Sequence, residues 1–251
     1  MRTPENHFDE HDVCLWNIHK EVIDRCTAAI NASQINDVIH RALKLLHNRT
    51  VNALTSLQIL CAHSRHNFHA DAGSILRTMF DISVQAEYMM IDPTLAHDRA
   101  QMFLDFYWVQ KRGFMQRALA CQGRLSEQLS QSRRRSEAEP VIEAEFKRVM
   151  KHFTNDRGKV RSTWYPGTLA DLSRAIGRYG EYAIYQPLLS GAVHAGPYIL
   201  SHPFPIRDTD FLMHGYTFAM RVLRLIVQHH KITLSSFDAD VINSVADSSI
   251  N

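Results

Sequence analysis

At 251 residues, with 45% apolar and 22% charged residues, the chain can bury a full hydrophobic core and is too ordinary in balance for extensive disorder. A formal net charge of +2 demands no nucleic-acid or membrane partner by itself, and ten glycines and eight prolines are too few for a fold of short strands and tight turns. Fifteen histidines leave the charge sensitive to pH between about 5 and 8.

Apolar residues recur at helical spacing almost from end to end. Val13, Trp16, Ile23, Cys26 and Ile30 predict a helix over 13–30, and Ile35, Val38, Ile39, Ala42, Leu43 and Leu46 a second over 34–46. Leu54, Leu57, Ile59, Leu60 and Cys61 mark a third over 51–63. The fourth, 70–91, is apolar on most sides through Ile75, Leu76, Met79, Ile82, Ala86 and Met90. Asp92-Pro93 ends it, because the residue before proline is pushed out of the helical region. A fifth helix runs over 94–120, and the polar, basic stretch 122–136 reads as a solvated helix or loop. Pro140 fits the first turn of a helix over 141–151, and 154–167 reads as a loop. Thr168, with Asp171 three residues on, caps a helix to Arg178 that Tyr179-Gly180 breaks. The next helix carries Ser190 and His194, 208–231 is a long amphipathic helix, and the tail beyond Asp238 is expected to fray. The expected fold is all-α: one domain over 1–251 of eight to ten helices, with N-terminal helices within 13–63 and a C-terminal helix at 208–231.

No run of about eighteen apolar residues exists to span a membrane. The polar N-terminus does not read as a signal peptide, and Cys14, Cys26, Cys61 and Cys121 are spread without metal-ligand spacing, as reduced core thiols would be. The expected compartment is the cytoplasm.

Two short patterns carry most of the chemistry. Arg77 and Asp81, and Ser190 and His194, are each spaced i,i+4, which puts each pair on one helix face. Both interrupt apolar helices with groups that are costly to bury unanswered. If the two helices pack face to face, four polar side chains converge. The bland alternatives are a solvated ion pair and a core histidine bonded to Ser190 or a carbonyl. A Ser–His hydrolase is disfavoured, since no GxSxG elbow is present and a mid-helix serine is poorly exposed for attack. His63, His66 and His69 spread over about 120° of a helix and cannot easily meet one metal ion. His7 and His11 have a spacing that zinc accepts, in a polar terminus where only incidental binding is expected. Arg133-Arg134-Arg135 has glutamates close behind it, so a solvated salt-bridged surface explains it equally well. Arg157, Lys159 and Arg161 precede Trp164, a combination that suits single-stranded nucleic acid. Arg224 and His229 have a spacing similar to the motif of the HEPN superfamily of helical ribonucleases, with Leu225 where a polar residue is commonly expected; Arg41 and His47 give a comparable spacing.

With these residues in place, the chain resembles a bacterial helical family catalogued as domain of unknown function 5677. Its members show a Leu-Arg helix with an acid four residues after the arginine, a Trp-containing loop, and a Tyr…Leu-Ser-x-x-Val-His segment. Here these are Leu76-Arg77 with Asp81, Trp164, Tyr185, and Leu189-Ser190 with Val193-His194; Asp81 stands where glutamate is usual. The resemblance covers roughly 71–198 and implies a helical fold with a shared polar site, without an activity.

The function expected first is a cytoplasmic, homo-oligomeric, metal-independent endoribonuclease-like or toxin/phage-defence-type effector, acting on RNA or a phosphate-bearing ligand. His194 would be the acid/base, Arg77 the phosphate contact, and Asp81 and Ser190 their orienters. Tyr88, Arg157, Lys159, Arg161, Trp164 and Tyr185 would contact substrate. The alternative is a non-catalytic helical module that binds a small anionic ligand or a partner protein. Neither reading calls for a metal or cofactor.

Overall fold

The computed structural model describes residues 10–62, 69–120, 133–193 and 208–248. Among them are nine α-helices and no strand: α1 (Glu10–Ala32), α2 (Val38–Ala62), α3 (His69–Met90), α4 (Ala96–Ala120), α5 (Arg133–Phe153), α6 (Leu169–Ala175), α7 (Tyr179–Val193), α8 (Asp208–His230) and α9 (Ser236–Ala246). None of these helices is long and apolar enough to cross a membrane. They group into two compact units, one running up to Ala96 and resuming at Leu169, the other spanning His97–Thr168.

In the larger unit α8 is the central helix. It packs on α1, α2, α3 and α9, and every residue from Gly215 to Leu223 is buried; the amphipathic helix expected over 208–231 is present, with Met213 and Gln228 on its exposed side. Phe211, Tyr216 and Phe218 of α8 meet a core built from Leu43 and Leu57 of α2 and Leu76, Met79 and Phe80 of α3. Leucine side chains of α2 pack directly onto the α8 backbone at Gly215, where an added Cβ would lie 2.7 Å from Leu57 Cδ2 and 3.2 Å from Leu54 Cδ1. Gly215→Val should therefore cost about 1–3 kcal/mol by overpacking. For Gly215→Ala, a helix-propensity gain of about 1 kcal/mol should offset the smaller clash. Urea denaturation of the two variants checks the contrast.

Four boundaries differ from those expected. Residues 34–46 and 51–63 do not form two helices. α2 runs unbroken through Asn48-Arg49-Thr50, where Thr50 is buried and its hydroxyl donates to the Leu46 carbonyl at 2.8 Å. α5 begins at Arg133, so Pro140 lies inside it rather than in its first turn. The stop between α6 and α7 falls at Gly177, not at Tyr179-Gly180. Gly177 takes a positive φ of 75°, and Arg178 N–H returns to the Ser173 carbonyl at 2.7 Å while Gly177 N–H reaches that of Arg174 at 3.1 Å, a Schellman cap. The tail does not fray at Asp238. Ser235 accepts from Asp238 N–H at 3.0 Å to cap α9, and buried Asp238 accepts from Arg25 of α1 at 2.5 Å.

Of the thiols, Cys26 and Cys61 are buried and Cys14 is exposed; burial pushes Cys26 up to about 11. Cys121 lies outside the described residues.

The smaller unit pairs α4 with α5. Phe106 meets Phe153 at 5.2 Å, Arg112 donates to Glu143 at 2.8 Å, and Arg148 to Asp105 at 2.8 Å. After α5 a tight loop folds back through an isolated Thr154–Val160 bridge, with Gly158 at φ 72°. Trp164 then packs edge-on against Phe103 at 5.7 Å.

Candidate functional site

Helices α3 and α7 pack antiparallel, and their side chains fix the register. Arg77 faces Ser190, the Phe80 and Tyr185 rings lie 5.4 Å apart, and Ser83 and Glu87 both accept from Arg178, at 3.1 and 3.0 Å. Moving one turn along each helix from the Arg77–Ser190 contact leads to Asp81 and Gln186, which therefore occupy the same level of the pair. Arg77 Nη1 donates to Ser190 Oγ, which also accepts from Gln186 Nε2 at 3.4 Å. Asp81 Oδ2 stands 4.0 Å from Arg77 Nε, too far for a hydrogen bond. Ser190 thus holds the guanidinium, and Asp81 acts on it through charge.

The cluster is not sealed: the Arg77 side chain is 21% exposed and that of Asp81 32%. The two oxygens of Asp81 differ. Oδ2 faces Arg77, while Oδ1 is buried without a hydrogen-bond partner, as is Gln186 Oε1. Burial raises the Asp81 carboxyl to about 6, against the opposing pull of Arg77. A carboxylate poised there, beside a fixed cation, can exchange a proton near neutral pH.

The profile of the family of unknown function DUF5677 matches residues 40–210, more than half of the chain. The chain belongs to this family. The DUF5677 match is wider than the 71–198 expected from the short motifs, taking in nearly all of α2 and the first residues of α8. It contains Arg77, Asp81 and Ser190, and leaves out Arg224 and His229. No curated protein and no solved structure gives a match.

Other candidate residues of this DUF5677 chain are placed as follows. His194 lies outside the described residues, one position beyond the end of α7, as do His7, His63 and His66 and the side chains of His69 and Arg133–Arg135. Tyr88 is half-buried, two turns beyond Asp81 on α3. Tyr185 is in the core, its ring against Phe80, Phe218 and His214 and its hydroxyl buried without a partner; burial drives its phenol far above the ordinary range. In the smaller unit Arg157 and Lys159 are exposed, and Arg161 is occupied by the His152 carbonyl. Trp164, only 4% exposed, is wedged between Phe103 and Tyr165 and offers no open face for base stacking. Arg224 pairs with Asp247 at 2.5 Å while His229 pairs with Asp37 at 2.9 Å, so the ribonuclease-like spacing does not yield a shared contact. Arg41 is exposed and His47 buried. A groove of about 300 Å³ lined by Val13, Trp16, Gln58, Leu212 and Tyr216 is separate from the α3/α7 cluster.

Sequence reasoning missed a second polar assembly on the same helix pair. Glu181 Oε2 accepts from Arg178 Nε at 2.8 Å and from Arg221 Nη1 at 2.9 Å, and Oε1 accepts from Arg221 Nη2 at 3.0 Å. The available signal was the i,i+4 pair Glu181 and Tyr185 on a helix that also carries Ser190, together with Arg221 inside an apolar run. Nothing in the sequence says which distant charges meet.

Proposed function

We propose that this DUF5677 protein is a cytoplasmic, metal-independent endoribonuclease-like effector whose chemistry is carried by α3 and α7. The observation behind this reading is the mostly buried but unsealed Arg77/Asp81/Ser190 cluster, a cation fixed by a hydroxyl beside a carboxylate raised to about 6. RNA cleavage by internal attack needs three things. A base takes the 2′-hydroxyl proton, a cation neutralises the charge growing on the phosphate, and an acid protonates the leaving 5′-oxygen. The new bond is 2′-oxygen to phosphorus, the bond broken is phosphorus to 5′-oxygen, and no metal or redox partner enters the balance. Asp81 suits the first task, since no hydrogen bond commits it to orienting Arg77, and Arg77 suits the second. His194, the sequence candidate for acid/base work, would take the third.

A second reading rests on the unpartnered Asp81 Oδ1 and Gln186 Oε1. Both are acceptors, and an N–H or O–H of a bound small molecule would satisfy them, with Arg77 taking its anionic group. Such a site could bind without turning its ligand over.

Incubation of total RNA with the protein in EDTA separates the two. Wild type should cleave, and Asp81→Asn, Arg77→Ala and His194→Ala should each lose about 100-fold or more with circular dichroism unchanged. Cleavage that survives Asp81→Asn and Arg77→Ala moves the chemistry away from α3. No cleavage by wild type favours the binding module.

A further inference from the structure

Charge is unevenly divided along the chain. Residues 97–168 hold fourteen Lys and Arg against eight Asp and Glu, an excess of six positive charges, whereas the remaining residues hold fourteen against eighteen and are net negative by four. The modest total of +2 hides a basic smaller unit. Its α4 has no acid after Asp105, and Asp105 is buried and paired with Arg148.

The solvent face of that acid-free stretch is aromatic. Tyr107 is 51% exposed and Phe114 67%. Seven residues apart, they lie within about 20° of each other around the helix and about 10 Å apart along it. Exposed Gln110 and half-buried Lys111 lie between them, and exposed Arg117 follows one turn later. Lys111 Nζ sits 5.0 Å from the centre of the Tyr107 ring and 5.4 Å from that of Trp108. Arg112, by contrast, is turned inward onto Glu143 and the Phe146 ring. Two large open rings separated by a cation, on a unit with a surplus of positive charge, are not what a plain solvated helix face requires.

We infer that the Tyr107–Lys111–Phe114 face of α4 binds single-stranded nucleic acid, stacking unpaired bases on the two rings and neutralising backbone phosphates with Lys111 and Arg117. A duplex hides its base faces, so the rings select single strands. Assigning RNA rather than DNA to this face rests on the cleavage reading above; the binding itself does not. The face also takes over the stacking role expected of Trp164, whose ring is enclosed.

The test is fluorescence anisotropy of the full-length protein with a labelled oligouridylate of about 12 nucleotides at low salt, a length within the range of single-strand sites. The Asp81→Asn variant is used alongside wild type, so that the probe is not consumed. Tyr107→Ala and Phe114→Ala should each weaken binding about tenfold or more, and the double variant should bind only through charge. Lys111→Ala with Arg117→Ala should flatten the dependence on log salt concentration by about 0.7 per lost phosphate contact. Both rings are exposed, so the variants should keep the wild-type helix content, which circular dichroism checks. Binding that persists in the Tyr107/Phe114 double variant, or that is equally tight for duplex, overturns the inference. So does the absence of wild-type binding, which would hand the stripe to a protein partner. If oligothymidylate binds as oligouridylate does, with the same loss in the ring variants, while total RNA is never cleaved, the surface stands and the ribonuclease reading falls.

Discussion

Glu181→Ala is expected to lower the stability of the larger unit by about 3–5 kcal/mol, the usual cost of removing one member of a buried ion pair. Its carboxylate is the hub of the polar assembly between α3, α7 and α8. It accepts from Arg178 and Arg221, whose side chains are only 9% and 7% exposed, and is itself 13% exposed. Arg178 is also held by Ser83 at 3.1 Å and Glu87 at 3.0 Å, with its guanidinium 5.3 Å from the centre of the Phe80 ring. Arg221 donates onward to the carbonyls of Ala246 at 2.8 Å and Ser248 at 3.3 Å, so it answers the carboxyl-terminal end of α9. Without Glu181, Arg178 keeps Glu87 as a counter-charge, while Arg221 loses the carboxylate it pairs with and stays buried. At about 2–4 °C per kcal/mol for a unit of this size, Tm should fall by about 10 °C. Amide exchange should quicken in α9 as well as in α7, because Arg221 loses the group that fixes it. A triple replacement of Arg178, Glu181 and Arg221 by Met, Leu and Met should recover only part of the loss, since it removes the buried charges but leaves Glu87 and the Ala246 carbonyl without their donors. A Tm for Glu181→Ala within about 2 °C of wild type would show that the assembly contributes little.

The same hub gives a pH dependence. Burial works to raise the Glu181 carboxyl, but hydrogen bonds from Arg221 and Arg178 outweigh it and hold the group below its ordinary value. A carboxyl depressed in the folded state stabilises at pH values above its unfolded pKa, and that contribution is lost as pH falls through the folded one. Part of the acid sensitivity of wild type below about pH 4.5 should therefore be missing in Glu181→Ala.

What could be read from the sequence follows from the range of the interactions. The helices were legible because apolar periodicity is local, and α3 stood out as a central helix because Leu76, Met79 and Ala86 leave it few polar sides. The pair Arg77 and Asp81 was legible for the same reason, and Ser190 was expected beside it only on the condition that the two helices packed face to face; that it bonds Arg77 directly was not. The roles within the cluster were not legible. Whether Asp81 holds the arginine or stands free depends on a separation of 4.0 Å and on how deeply its Oδ1 is buried, both set by α7. The continuity of α2 was hidden because Asn48-Arg49-Thr50 looks like a polar break, although Thr50 satisfies its hydroxyl within the helix and faces the core. α9 was hidden because an eleven-residue helix is marginal by itself; its anchor, Arg25, is 213 residues away. The Glu181 assembly joins residues 40 and 91 positions apart, a pairing no local pattern encodes.

Acidification should also destabilise the protein through His47, by about 3 kcal/mol. His47 is buried on α2, and its Nε2 lies 2.9 Å from Thr27 Oγ1. The Thr27 hydroxyl already donates to the Ile23 carbonyl at 2.7 Å, so it can only accept from the imidazole, and Nε2 must carry the proton. Nδ1 is then a bare lone pair, buried and without a partner. Protonating it would place a charge in apolar surroundings, and burial accordingly lowers the group from 6.5 to about 4. The sign follows from proton counting. Between those two values the unfolded chain binds a proton that the folded chain refuses. Stability is therefore complete above about pH 6.5 and is lost progressively down to about pH 4, by about 1.4 kcal/mol for each pH step of one across that window. The hydrogen-bonded pair His40 and His230, 2.5 Å apart, adds loss in the same direction, both rings being lowered by burial first. His47→Leu keeps a side chain of similar bulk and removes the unpartnered nitrogen, while Thr27 retains its bond to Ile23. It should be within about 1 kcal/mol of wild type at pH 7 yet lose about 3 kcal/mol less on transfer to pH 4, measured by urea denaturation at both values. Identical losses in the two proteins would mean that His47 is reached by water and charges without penalty. A smaller loss confined to His47→Leu would identify this one ring nitrogen as the leading source of acid lability in the helical core.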